Sequence, residues 1–330
     1  MMRMYLFARY FLKCTLLLLV TIFARKNFFR IFYMLVISSY LCTEFVDEKN
    51  YFNKVLYNNF MKRILGIALV ALLCINVQAK NEEGKYHAPI KIERKWKNYH
   101  PGNVRFVDKA PKSEGSQIYH RLIPHPVEYI QENARRVLQT LYYGPKDKNV
   151  PNIDLIHYTL EDYKGVSGKS GSGSYVHIAY STRWIESSFK NGDAARVDYE
   201  TRGVLYHELT HAYQLEPKNC GTYSEGGEFW CFIEGMADAV RISCGCFEQD
   251  FQSKDRPRAE TWRKGYRVAG YFLYWIQQTK DKNFLRKFNA SAAELDTWSW
   301  DAAMKHVLGD KPENGVEALW KEYRTAIGEL

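Results

Sequence analysis

Residues 203–214 read GVLYHELTHAYQ and place His207, Glu208 and His211 in the order H-E-x-x-H. Val204, Leu205 and Leu209 recur at the spacing of a helix that buries one face, so the spacing predicts a helix over 202–215. Residues four apart on a helix share a face, which lets both imidazoles reach one point with the Glu208 carboxylate beside them. A buried helix that turns two histidines and a glutamate the same way needs something to satisfy them. Zinc is the expected partner, because it takes neutral imidazole nitrogens and brings the pKa of a bound water toward about 7. Glu208 is then the expected general base. The bland alternative is a pair of surface histidines with a solvated glutamate, and the apolar flanks argue against it.

A catalytic zinc needs a third protein ligand from another direction and keeps one position open. Residues 234–238 read EGMAD on the next expected helix, Glu228 to Ser243, with Glu234 and Asp238 four apart on one face. Glu234 is the expected ligand, and Asp238 the expected acceptor of the outer N–H of a ligating histidine. Two other readings stay open: Asp238 as the ligand, or an acidic pair on an exposed face. Gly235 costs about 1 kcal/mol against Ala inside a helix, which suggests that the zinc-bearing helix approaches closely there.

Outward from this pair, residues 128–142 (EYIQENARRVLQTLY) have a helical stripe of Tyr129, Ile130, Val137, Leu138 and Leu141. Residues 153–159 (IDLIHYT) and 175–181 (YVHIAYS) read as strands on either side of a flexible Gly/Ser loop at 165–174. Helices are expected at 261–279, 298–307 and 316–327. Strands early and helices late point to an α+β domain, entered through a basic loop-and-short-strand extension over 80–124. There is no internal repeat.

The runs GVLYHELTHAYQ and IEGMADAVR (233–241) closely resemble the plant basic secretory protein family and its bacterial relatives, which are regarded as zinc peptidases. The similarity continues through Trp262, Gly265 and Tyr266 (WRKGYRVAGYFL) to LWKEYRTAI at 319–327, and spans roughly residues 125–330. The resemblance implies a zincin-like α+β fold with a small early β-sheet packed on the active-site helix, an active-site cleft, and secretion. The E-G-M-A-D order also looks like that of glutamate-ligand zincins typified by thermolysin, which supports Glu234 over Asp238. Tyr266 is the candidate donor to a developing oxyanion, against the bland reading of a core aromatic. His177, on a strand that lines the cleft in one reading, is more simply a packed histidine; His157 and His306 have no companion spacing. Two stretches depart from the plant pattern: the cysteine-containing insert at 216–230 (EPKNCGTYSEGGEFW) and residues 80–124.

The chain has 330 residues and a formal net charge of +9. Residues 1–79 carry ten Lys+Arg against three Asp+Glu, which leaves 36 against 34 downstream. The basic bias therefore says little about a ligand of the mature chain, and no nucleic-acid partner is expected. Met61, Lys62 and Arg63, an apolar run from Ile64 to Ile75 and Val77-Gln78-Ala79 read as a secretory signal peptide over 61–79. A lipoprotein route is disfavoured because Leu73 precedes Cys74. Residues 1–60 hold broken apolar runs shorter than the roughly 18–20 residues of a clean span. They read as an over-long gene model, with a membrane hairpin as the alternative. Cys220, Cys231, Cys244 and Cys246 in an exported chain suggest one or two disulfides, while a second zinc site would lack paired C-x-x-C spacing.

Together these features predict a secreted or periplasmic zinc metallopeptidase that acts on peptides or proteins and has no stable membrane association once its signal is removed. Two other readings share the motif: a non-catalytic exported module with a structural zinc, and a zinc amidase acting on cell-wall cross-links.

Overall fold

Alternation of apolar and polar residues builds the sheet. In the computed structural model, which describes residues 86–252 and 256–330, strand β2 (Leu155–Glu161) buries Ile156, Tyr158 and Leu160 and turns His157 and Glu161 to the other face. Strand β4 (Tyr175–Ser181) repeats the pattern with Val176, Ile178 and Tyr180 against His177. Strand β1 (Asn103–Asp108) runs parallel to β2, β2 runs parallel to β4, and β3 (Ser167–Ser170) closes the far edge antiparallel to β4. The order is β1-β2-β4-β3. The expected signal peptide at 61–79 and the residues before it lie outside the described residues.

Nine α-helices among the described residues make the molecule mainly helical, so the α+β class expected from sequence holds. Helix α1 (Glu114–Leu122) follows β1, and α2 (Pro126–Leu141) starts on a proline whose missing N–H is no loss in a first turn. Ile130, Val137, Leu138 and Leu141 form the buried stripe of α2, and Tyr129 donates from its hydroxyl to Asp198 at 2.8 Å. After α3 (Thr182–Ser188) comes the long α4 (Ala194–Tyr213), capped by the Asp193 side chain on the Arg196 N–H. Helix α5 (Glu228–Ser243) matches its expected bounds. Helices α6 (Tyr266–Thr279), α7 (Phe284–Glu294), α8 (Trp300–Leu308) and α9 (Val316–Ala326) complete the chain. None of the described helices is long and apolar enough to cross a membrane.

Several expectations change. The Gly/Ser loop at 165–174 contains β3, because strand pairing uses backbone groups and tolerates small side chains. β1 and α1 lie ahead of residue 125, where the sequence placed the start of the domain, and β1 is hydrogen-bonded into the sheet. Helix α4 begins eight residues before its expected start at 202. The expected helix over 261–279 is interrupted at Gly265, whose φ of 62° separates a short 3-10 turn from α6. A Cβ there would lie 2.4 Å from the Trp230 ring, so the break also makes room for an indole.

The four described cysteines are free thiols, which corrects the expectation of disulfides. Cys231, Cys244 and Cys246 are buried, and each thiol points at a different backbone carbonyl, of Arg263, Arg136 and Tyr199. They fill the core as small apolar groups. Gly235 also has a different neighbour from the one expected. A Cβ on it would lie 2.8 Å from Ala269 Cβ on α6, and one on Gly270 would lie 2.8 Å from Asp238 Cβ. The close approach is thus between α5 and α6, and it fixes the helix that carries Glu234 and Asp238.

Candidate metal centre

From Thr201 to Tyr213 helix α4 is buried at every position except His207 and His211, one turn apart. Helix α5 lies across these two. The His207 and His211 Nε2 atoms are 3.1 Å apart. Glu234 Oε2 lies 3.2 Å from the first and 3.6 Å from the second. Glu234 is only 4% exposed, and the three side chains together could hold a metal ion.

The donor set fits such an ion. Ligand bonds of about 2.0–2.1 Å at tetrahedral angles put donor atoms about 3.3 Å apart, close to the three separations found. Asp238 Oδ1 is 3.0 Å from His207 Nδ1, so that nitrogen carries the proton and Nε2 keeps its lone pair. The Gln214 carboxamide lies 2.9 Å from His211 Nδ1, and its buried Oε1 has no partner. Turning the amide over, a change that leaves its shape intact, lets Oε1 accept from Nδ1–H and sets His211 the same way. Two imidazole nitrogens and a carboxylate oxygen then converge, an arrangement that could hold a metal cation.

The electrostatics point the same way. Burial alone would push the His207 imidazole down, but the Asp238 carboxylate, followed by Glu234 and Glu208, outweighs it and lifts the group to about 10. Burial would raise Glu234, yet its bonds to His207 and His211 hold it well below the usual carboxylate range. Asp238 is likewise lowered against its burial, by His207 and then by Arg241 and Arg267. Arg241 Nη1 lies 3.7 Å from Asp238 Oδ1. The pocket therefore favours positive charge between these carboxylates.

Glu208, next to His207 on α4, is 4% exposed and accepts a 2.6 Å hydrogen bond at Oε1 from Ser167 Oγ on β3. Ser167 pairs with Tyr180 on the helix-facing side of the sheet, whereas Ser170 pairs with His177 on the other. His177 thus lies on the face away from α4, bonded to Thr159 and Ser170, and stays outside the cluster. His157 lies beside it there with its ring tilted by 39°, and His306 pairs with Glu294 at 2.7 Å.

Tyr266 opens α6 at the rim. Its φ is 39°, it is 48% exposed, and its ring lies over the His207 imidazole with centroids 6.0 Å apart and planes 18° from parallel. Trp230 meets the ring edge-on. Burial and then the Glu234, Asp238 and Glu208 carboxylates push its phenol up, so the hydroxyl keeps its proton. Three contacts were not foreseen from sequence: Ser167 on Glu208, Gln214 on His211, and Tyr223, whose hydroxyl donates to Glu234 Oε1. Gln214, the residue that caps the end of α4, follows His211 by three positions, which is a signal; the other two are tertiary contacts.

A family model described as BSP, peptidase of plants and bacteria, matches residues 102–323, more than half of the chain. No curated protein and no solved structure matches it.

Proposed function

The chain belongs to this family of plant and bacterial peptidases, and from that premise we propose that it is an exported zinc metallopeptidase with a zincin-like fold. The observation that carries the reading is the convergence of His207, His211 and Glu234, from two helices, beside the Glu208 carboxylate. An N₂O donor set suits zinc better than the oxygen-seeking calcium or magnesium. Zinc held there supplies Lewis acidity toward a scissile carbonyl and toward water.

The remaining chemistry belongs to the side chains. Glu208, with Oε1 held by Ser167 Oγ, accepts the proton of the attacking water at Oε2 and passes it to the leaving amine nitrogen. Asp238 and Gln214 hold the two imidazoles with Nε2 turned inward. Tyr266 is the candidate donor to the developing oxyanion. A strained, exposed residue that keeps its proton suits that role, since strain persists where the surroundings enforce it. A peptide substrate is supported by β3: it is the outer strand of the sheet, next to Glu208, and an extended chain can pair with its free backbone edge. Export rests on the leader at 61–79.

The test is Glu208→Gln in the mature protein. The variant keeps one zinc by elemental analysis and loses proteolysis of an unfolded protein substrate by about 100-fold or more, because the base goes and the ligands stay. Unchanged turnover rejects the mechanism.

A further inference from the structure

The two oxygens of Glu234 have different partners. Oε2 faces both imidazoles, at 3.2 and 3.6 Å, while Oε1 accepts from the Tyr223 hydroxyl. Tyr223 comes from neither helix of the cluster. It sits in the cysteine-containing insert between α4 and α5, the stretch that departs from the plant pattern. The start of that insert and the residue before it are tied to α7 and the segment just after it: Leu215 N–H donates to Asn289, Lys218 Nζ to the Ala293 carbonyl, and Asn219 to the Asp296 carbonyl. Gly221 and Gly226, with φ of 92° and 79°, then turn the chain back over the cluster, and Arg263 holds the second turn through the Gly226 carbonyl. The tyrosine lies between these anchors, 54% exposed, with its ring edge against Phe229.

We propose that Tyr223 is a positioning residue: its hydroxyl holds Glu234 Oε1 so that the carboxylate offers a metal ion one oxygen only, Oε2. A carboxylate free to turn presents both oxygens and takes two coordination positions. With Oε1 engaged, the residues would offer a metal ion two nitrogens and one oxygen, a set that leaves room for water or substrate. The insert is thereby part of the centre rather than a decoration of the cleft. This inference rests on the three-ligand reading given above.

The experiment compares the cobalt(II)-loaded mature protein with Tyr223→Phe and with His211→Ala, by visible absorption and by competitive cobalt titration. Tyr223→Phe removes one hydroxyl and leaves the ring against Phe229, and circular dichroism checks that the fold is kept. The expected result is a weaker visible band in Tyr223→Phe, as four-coordinate cobalt gains a fifth ligand, and a dissociation constant raised about 10-fold. A spectrum and affinity equal to those of the unaltered protein overturn the role of Tyr223 while the three-ligand centre stands, provided that His211→Ala has lost binding. Cobalt binding that survives His211→Ala unchanged, or a failure of the unaltered protein to bind cobalt, overturns the centre and the inference together.

Discussion

Asp238 bonds to His207 and touches no ion itself, so replacing it measures how much the centre depends on a residue behind its ligands. Its Oδ1 lies 3.0 Å from His207 Nδ1 and 3.7 Å from Arg241 Nη1, and the side chain is buried. Asp238→Asn keeps the shape and one acceptor oxygen but removes the charge that makes the imidazole a stronger donor through Nε2. Loss of such a partner costs about 10–100-fold in metal affinity, or about 1.4–2.7 kcal/mol. The asparagine variant should fall near the lower figure, because its hydrogen bond survives. Asp238→Ala removes the acceptor as well and should fall near the upper one. The assay is zinc competition against a chromophoric chelator at neutral pH, with folding of each metal-free variant checked first, since Arg241 loses a partner in both. Affinities within twofold of the unaltered protein for both folded variants would refute the claim that Asp238 sets the tautomer and basicity of His207.

Gly235→Ala sets a helix-propensity gain of about 1 kcal/mol against overpacking of about 1–3 kcal/mol, because the new methyl lies 2.8 Å from Ala269 Cβ. The melting temperature should fall by a few degrees, and a rise would contradict the tight α5–α6 contact. Alkylation under native conditions should label Cys220 alone, and unfolding without reductant should expose all four described thiols; labelling that needs reductant would show disulfides instead. Asp108 accepts from the Ala110 N–H and the Ser116 hydroxyl and lies 3.0 Å from His120, and these contacts outweigh its burial and lower its pKa. A lowered carboxyl stabilises above its unfolded pKa of about 3.9 and ceases to as pH falls through the lower folded value. Asp108→Asn should therefore cost about 1 kcal/mol at pH 7, and the gap to the unaltered protein should close below about pH 3.9 in urea unfolding. A gap that persists at pH 2.5 would contradict the charge-dependent share.

The centre was legible in the sequence wherever local geometry suffices. His207 and His211 lie one helical turn apart, as do Glu234 and Asp238, so a helical period alone places each pair on one face. What joins the two pairs is the packing of α5 on α4, and the sequence hinted at it only through Gly235, for the wrong neighbour. Ser167 was hidden by composition: in GVSGKSGSGS only Val166 is apolar, so no alternation marks a strand, and the side Ser167 takes is set by register with β4. Tyr223 depends on two left-handed glycines and on anchors more than 70 positions away in sequence. β1 (NVRFVD) carried a readable alternation of Val104 and Phe106, and α7 a readable stripe of Phe284, Leu285, Phe288 and Ala292. The break at Gly265 is a packing effect, since the space for the Trp230 ring is not visible along the chain.

Anomalous scattering at the zinc edge from crystals of the mature protein locates the ion itself. One strong peak is expected within about 2.0–2.2 Å of His207 Nε2, His211 Nε2 and Glu234 Oε2. A zinc-loaded crystal with no peak there, or with its peak at other side chains, would contradict the three-ligand centre.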